Sequence, residues 1–113
     1  MTGMPPAPAR MLIGHGVRVA LSTDFNPGSS PSENLQLAVA LGCALLHLTP
    51  EEAILGVTRH AAAALAREGR IGSLSPGAAC DVLVLEALSE IDLAYHYGVN
   101  LTRTVVKSGR VVV

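Results

Sequence analysis

The chain has 113 residues, enough for one domain with a modest core. Eight Lys and Arg against nine Asp and Glu leave a net charge of −1, and the aromatics are only Phe25, Tyr95 and Tyr97. Nucleic-acid binders draw on clustered cations and stacking rings, so that class is excluded; half of the residues are apolar, which excludes a disordered chain.

Residues Met1 to Pro8 are rich in Pro and Gly and lack a cationic region followed by an apolar one, so no signal peptide is expected. Ala9 to His15 reads as a short helix stopped near Gly14 and Gly16. Val17 to Thr23 reads as a buried strand ending at Asp24, and Asn26 to Pro31 is dense turn chemistry. Ser32 is a suitable cap for a helix from Glu33 to about His47, apolar on most of its circumference. Thr49-Pro50-Glu51-Glu52 starts another helix: threonine caps, proline fits the first turn, and Glu52 completes a capping box. That helix runs to about Val57, and an alanine-rich piece follows from Arg59 to Arg67.

Beyond Gly69 the character changes. Ile71 to Leu74, Asp81 to Leu85, Thr102 to Lys107 and Arg110 to Val113 read as strands, with Ser108-Gly109 as a two-residue hairpin turn. A short helix fits Ile91 to Tyr97. The chain divides into an α/β part, residues 1–74, and a β-rich part, residues 75–113.

The longest uncharged stretch, Asn34 to Pro50, is interrupted by Gln36, His47 and Thr49. It falls short of the roughly 20 apolar residues of a spanning helix, so no membrane segment is expected. Cys43 and Cys80 lie far apart in apolar surroundings, without metal-type spacing, and read as buried free thiols of a reducing cytoplasm. A mean hydropathy of +0.43 is high for a small domain, which exposes much of its surface. The chain is therefore expected to pack against something else, as a homo-oligomer or against a larger polypeptide.

The most informative stretch is Leu21 to Pro31. Asp24 ends a buried strand ahead of a tight loop and a helix, which is where active sites of parallel barrels form. Such a carboxylate suits metal binding and proton abstraction from water; equally, Asp24 suits capping of its own loop by hydrogen bonds. Gly28, Ser29 and Ser30 before a helix suit an anion or an ordinary capped turn. His15, His47, His60 and His96 form no H-x-H or H-E-x-x-H pattern and read as structural.

The run Ser22-Thr23-Asp24-Phe25-Asn26-Pro27-Gly28-Ser29-Ser30-Pro31 resembles the end of the eighth barrel strand of imidazolonepropionases, in the metal-dependent amidohydrolase superfamily. Leu48 to Ala53 and Gly56 to Ala62 resemble the following helices. Ile71 to Gly77 and Asp81 to Val84 resemble the superfamily's return to its small β-sandwich. The resemblance implies an α/β fold: the C-terminal portion of a (β/α)8 barrel, then a β-rich piece of a composite sandwich. It implies hydrolysis of 4-imidazolone-5-propanoate to N-formimino-L-glutamate, with zinc or iron as cofactor. It makes Asp24 the metal ligand and proton acceptor, and Asn26, Gly28 and Ser29 the lining for the substrate's propionate. The family's H-x-H ligands and later barrel histidines do not occur in these 113 residues. The isolated chain is thus expected to be inactive and to hold no metal tightly. The alternatives are a self-associating remnant without catalysis, or one subunit of a split amidohydrolase.

Overall fold

A computed structural model describes residues 4–113. Helix α1 (Ala9–Gly14) is followed by a segment without helix or ladder strand, with one isolated bridge between Asn26 and Ser30, and then by α2 (Leu35–Leu46). Helix α3 (Pro50–Val57) and α4 (Arg59–Ala64) come next, then β1 (Val82–Leu85), α5 (Ile91–Tyr95), β2 (Thr102–Lys107) and β3 (Arg110–Val111).

Local chemistry explains most helix boundaries. At α3 the capping box is complete: Glu52 N donates to Thr49 Oγ1 at 3.2 Å, and Thr49 N donates to Glu52 Oε2 at 2.8 Å. The same Glu52 accepts from Arg10 Nη2 at 2.6 Å, which ties α1 to the start of α3. At α2 the cap is Asn34, whose Oδ1 accepts from Leu37 N at 3.1 Å. The expected cap, Ser32, instead accepts from Asn34 N within the preceding loop. The helix therefore begins two residues late, because Asn34 satisfies the first-turn amides. It ends at His47, in the left-handed region at φ 55°.

The core is small and built from small side chains. Ala9, Val39, Leu48 and Ala53 cluster, with Ile13, Val19, Leu21, Cys43, Leu46, Val57 and Leu93 packed around them. Leu93 brings α5 onto this cluster. The sheet is antiparallel in the order β1–β2–β3, with Val82 opposite Val106 and Lys107 opposite Arg110. Ser108 and Gly109 both have positive φ, as a two-residue hairpin requires. Val112 N donates to Val105 O, and Val105 N donates to Val113 O, so the pairing continues to the last residue.

Two expected strands are not strands. Residues 17–23 have no ladder partner among the described residues; Leu21 N bonds to Gly56 O of α3 and Val19 O to His60 of α4 instead. Residues 71–74 form a bend, because Gly72 at φ 76° turns the chain against α4. Cys80 is exposed rather than buried, while Cys43 is half-buried. Burial pushes the Cys43 thiol up, helped by Glu51 and Glu52. Among the described residues no helix is long and apolar enough to cross a membrane.

Candidate active site

The loop after residues 17–23 is positioned by two helices. Leu21 N donates to Gly56 O on α3 at 3.0 Å. His60 Nδ1 on α4 donates to Val19 O at 3.1 Å. Leu21 itself sits in a notch cut by two glycines. A Cβ on Gly42 would meet Leu21 Cδ1 at 2.8 Å, and one on Gly56 would meet Leu21 Cγ at 3.1 Å. Larger residues at either position would displace the stretch that ends in Asp24.

Asp24 lies at φ 51°, a left-handed conformation that costs a non-glycine residue about 1–3 kcal/mol. Its surroundings hold it there. Asp24 N donates to Ser22 Oγ at 3.3 Å, and Asn26 Nδ2 donates to Asp24 O at 2.7 Å. Ser30 Oγ donates to Thr23 O at 2.7 Å, and Asn26 N to Ser30 O at 2.9 Å, which closes the loop at its base. The loop is capped from within by Asn26. Its Oδ1 accepts from Gly28 N at 3.0 Å, Ser29 N at 2.8 Å and Ser29 Oγ at 3.3 Å.

Asn26, Gly28 and Ser29 are thus brought together, and their polar groups serve one another. The Asp24 carboxylate accepts no hydrogen bond among the described residues. The capping task open to an aspartate here is done by Asn26, and Asp24 is exposed. Asp24 lines a cleft of about 560 Å³ that Leu37, Leu41 and Leu45 of α2 also line.

The histidines lie elsewhere. His15 Nδ1 is 2.8 Å from Met11 O, His47 caps α2, and His96 packs edge-on against Tyr95. Among the described residues no three His, Cys, Asp or Glu side chains converge into a metal-binding group. A catalytic zinc takes about three protein ligands, so the residues present do not by themselves make such a site. Sequence reasoning missed Gly42, Gly56 and the contact made by His60. Their role is to seat Leu21 and Val19, and no local pattern signals it.

Known proteins resemble this chain in sequence and in overall fold. An imidazolonepropionase of Alkaliphilus oremlandii is 49% identical over 107 residues, and one of Geobacillus sp. is 50% identical over 107 residues. Each match takes in 95% of this chain but 25% of the relative, so the chain spans about a quarter of their length. Among solved structures, an amidohydrolase from Thermotoga maritima matches with a TM-score of 0.71 and 25% identity, over 93% of this chain and 25% of that one. A 5-methylcytosine deaminase from Klebsiella pneumoniae shares the fold, with a TM-score of 0.79 and 19% identity, over 100% of this chain and 29% of its own. The profile of the amidohydrolase family matches residues 2–113, and the chain belongs to that family.

Proposed function

We propose that this chain is the C-terminal part of an imidazolonepropionase, in which Asp24 accepts a proton from the hydrolytic water. The observation that carries this reading is the Asp24 carboxylate: it is exposed at the edge of a cleft, in a strained backbone, with loop capping done by Asn26. Identity near one half to imidazolonepropionases supports the choice of substrate, 4-imidazolone-5-propanoate. Water adds to the ring carbonyl, the adjacent C–N bond breaks, and the product is N-formimino-L-glutamate. A carboxylate base matches the proton that the water must lose.

Asn26, Gly28 and Ser29 stand on the loop just beyond Asp24, outside the lining of the cleft, and are the residues we assign to the substrate's propionate. Three donors already converge there on one oxygen, Asn26 Oδ1, so the loop can present an anion with the same partners if that side chain turns aside. Asp24 would give one oxygen donor to the zinc or iron of the family, and the other ligands would come from polypeptide outside these 113 residues. Residues 1–74 then correspond to the barrel's end and residues 75–113 to the sandwich. Free thiols at Cys43 and Cys80 suit a reducing cytoplasm.

The test is a chimera in which these 113 residues replace the matching stretch of the Alkaliphilus oremlandii relative. The isolated chain should not turn over imidazolone propionate. The chimera should, and Asp24→Asn should lower its rate by about 10³-fold or more while the protein stays folded. Near-normal turnover by the Asp24→Asn chimera would remove Asp24 from the mechanism.

A further inference from the structure

The loop assigned to the substrate ends where α2 begins, so whatever fixes the first turn of α2 also fixes one end of the loop. That turn has little support of its own. No acidic side chain stands in it to meet the helix dipole. The first amides of a helix lack partners within it, and Asn34 Oδ1 takes that of Leu37 at 3.1 Å. Asn34 itself lines the cleft together with Asp24, Ser30 and Ser32.

Further support comes from the β-rich half of the molecule. Gln36, half-buried in that first turn, commits its side-chain amide to residues at the start of β2. Its Nε2 donates to Asn100 Oδ1 at 3.0 Å and to Thr102 Oγ1 at 2.9 Å, and its Oε1 accepts from Leu101 N at 3.1 Å. Asn100 Oδ1 also accepts from Thr102 N at 2.9 Å, so the receiving residues are themselves fixed. Val84 pairs with Thr104 and Leu85 with Thr102, which leaves Arg103 as an extra residue in β2. A bulge of this kind re-aims neighbouring side chains, and it falls beside Thr102, which meets Gln36. Both donors and the acceptor of one amide are thus engaged by residues 64 to 66 positions away, which makes a clamp.

We infer that Gln36 is a positioning residue for the loop that carries Asn26, Gly28 and Ser29. It acts through α2: the clamp holds the first turn, the turn holds the Asn34 cap, and the cap holds the C-terminal end of the loop. The inference rests on the functional reading above in taking this loop as the propionate's. It adds that the β-rich part of the chain sets how well the loop binds. Asp24 stands at the other end, which is closed separately by the bond from Ser30 Oγ to Thr23 O. Loosening the Asn34 end should therefore weaken substrate binding more than proton abstraction.

Amide hydrogen exchange on the 113-residue chain tests the clamp without any need for activity. In Gln36→Leu the amides of Leu37, Gly28 and Ser29 should exchange about tenfold faster or more, while Glu52 N in the α3 cap stays within about twofold. Thr102→Val removes one partner from the sheet side and should act in the same direction, more weakly. Added to Gln36→Leu, it should change nothing further. Unchanged exchange at the three amides, or equal acceleration at Glu52, would overturn the inference. Should Gln36→Leu fail to fold, Thr102→Val and Asn100→Ala decide by the same readout. In the chimera, Gln36→Leu should raise KM for 4-imidazolone-5-propanoate about tenfold and leave kcat within about threefold. Gln36→Glu keeps the acceptor for Leu101 N and should recover part of the loss. A fall in kcat with KM unchanged would refute the positioning role. A chimera that turns over no substrate even with Gln36 in place rejects the functional reading, and the exchange rates then decide the clamp alone.

Discussion

The two ends of the molecule are held together by different physics. Up to Ala62 the chain has a core, with Ala53 at 0% and Val39 at 3% exposure. From residue 63 onward no residue is buried. The sheet is held by its hydrogen-bond ladder and by side chains that bridge to it. Gln36 on α2 donates to Asn100 and Thr102 and accepts from Leu101 N. Asp81 accepts from Lys107 and from Ser108 N. The helical half is thus stabilised by packing, and the sheet half by polar links. A sheet without a buried face is marginal by itself, which is why its tie to α2 through Gln36 matters.

The comparison is tested most strongly by removing volume from each half. Leu48 is 6% exposed and Leu83 is 57% exposed. Leu48→Ala should cost about 2–4 kcal/mol in denaturant unfolding, and Leu83→Ala less than about 0.5 kcal/mol. Equal losses would mean that the sheet carries a hidden core contact. Gly72 lies between the halves. An added Cβ would meet Thr58 O at 2.6 Å, a backbone atom that cannot swing away, and φ is 76°. Gly72→Ala should therefore destabilise by about 2 kcal/mol, whereas Gly69→Ala, which has open space, should show only the backbone cost of about 1 kcal/mol. Similar values for the two would show that the contact with α4 is soft.

What was legible in the sequence follows the same division between local and tertiary causes. Thr49-Pro50-Glu51-Glu52 announces a helix because the cap is made by its own neighbours. Ser108-Gly109 announces a hairpin because two adjacent positions need positive φ. Residues 17–23 look like a strand because they are apolar and β-branched, but a strand needs a partner, and an apolar run does not disclose one. The Asp24 loop stands out through its turn residues and its lone carboxylate. The seat beneath it does not, because Gly42 and Gly56 matter only through the Leu21 that fills the notch. The cap at Asn34 rather than Ser32 is a choice between two good caps two residues apart, which propensity does not separate.

A smaller effect sharpens the picture within the packed half. Thr49→Ala removes the Oγ1 acceptor of Glu52 N and should cost about 1 kcal/mol, felt first as fraying of α3. Thr49→Ser keeps the acceptor and should restore most of it. Circular dichroism during urea unfolding compares the three proteins. If serine does not rescue, the threonine methyl group rather than the hydroxyl is what matters at that position.

The smallest effect belongs to the polar half and is read by pH. The Lys107 ammonium beside Asp81, and next the Ser108 amide, hold the Asp81 carboxyl below its ordinary value. An unfolded aspartate titrates near about 3.9, so the favourable difference is complete above that pH. It fades as pH falls through the lower, folded value. Acid should therefore loosen the β2–β3 turn only below about pH 4, and the loosening should be modest because the pair is exposed. Nuclear magnetic resonance can follow the Asp81 carboxyl and the Ser108 amide together. Their midpoints should coincide and lie below that of an unstructured aspartate, and Lys107→Met should raise both. Asp81→Asn should abolish the step while leaving the Asn34 and Thr49 caps untouched. A turn that holds unchanged through the titration of Asp81 would show that the backbone geometry of Ser108 and Gly109 suffices to close it, and the sheet would then owe less to its charged link than its open surface suggests.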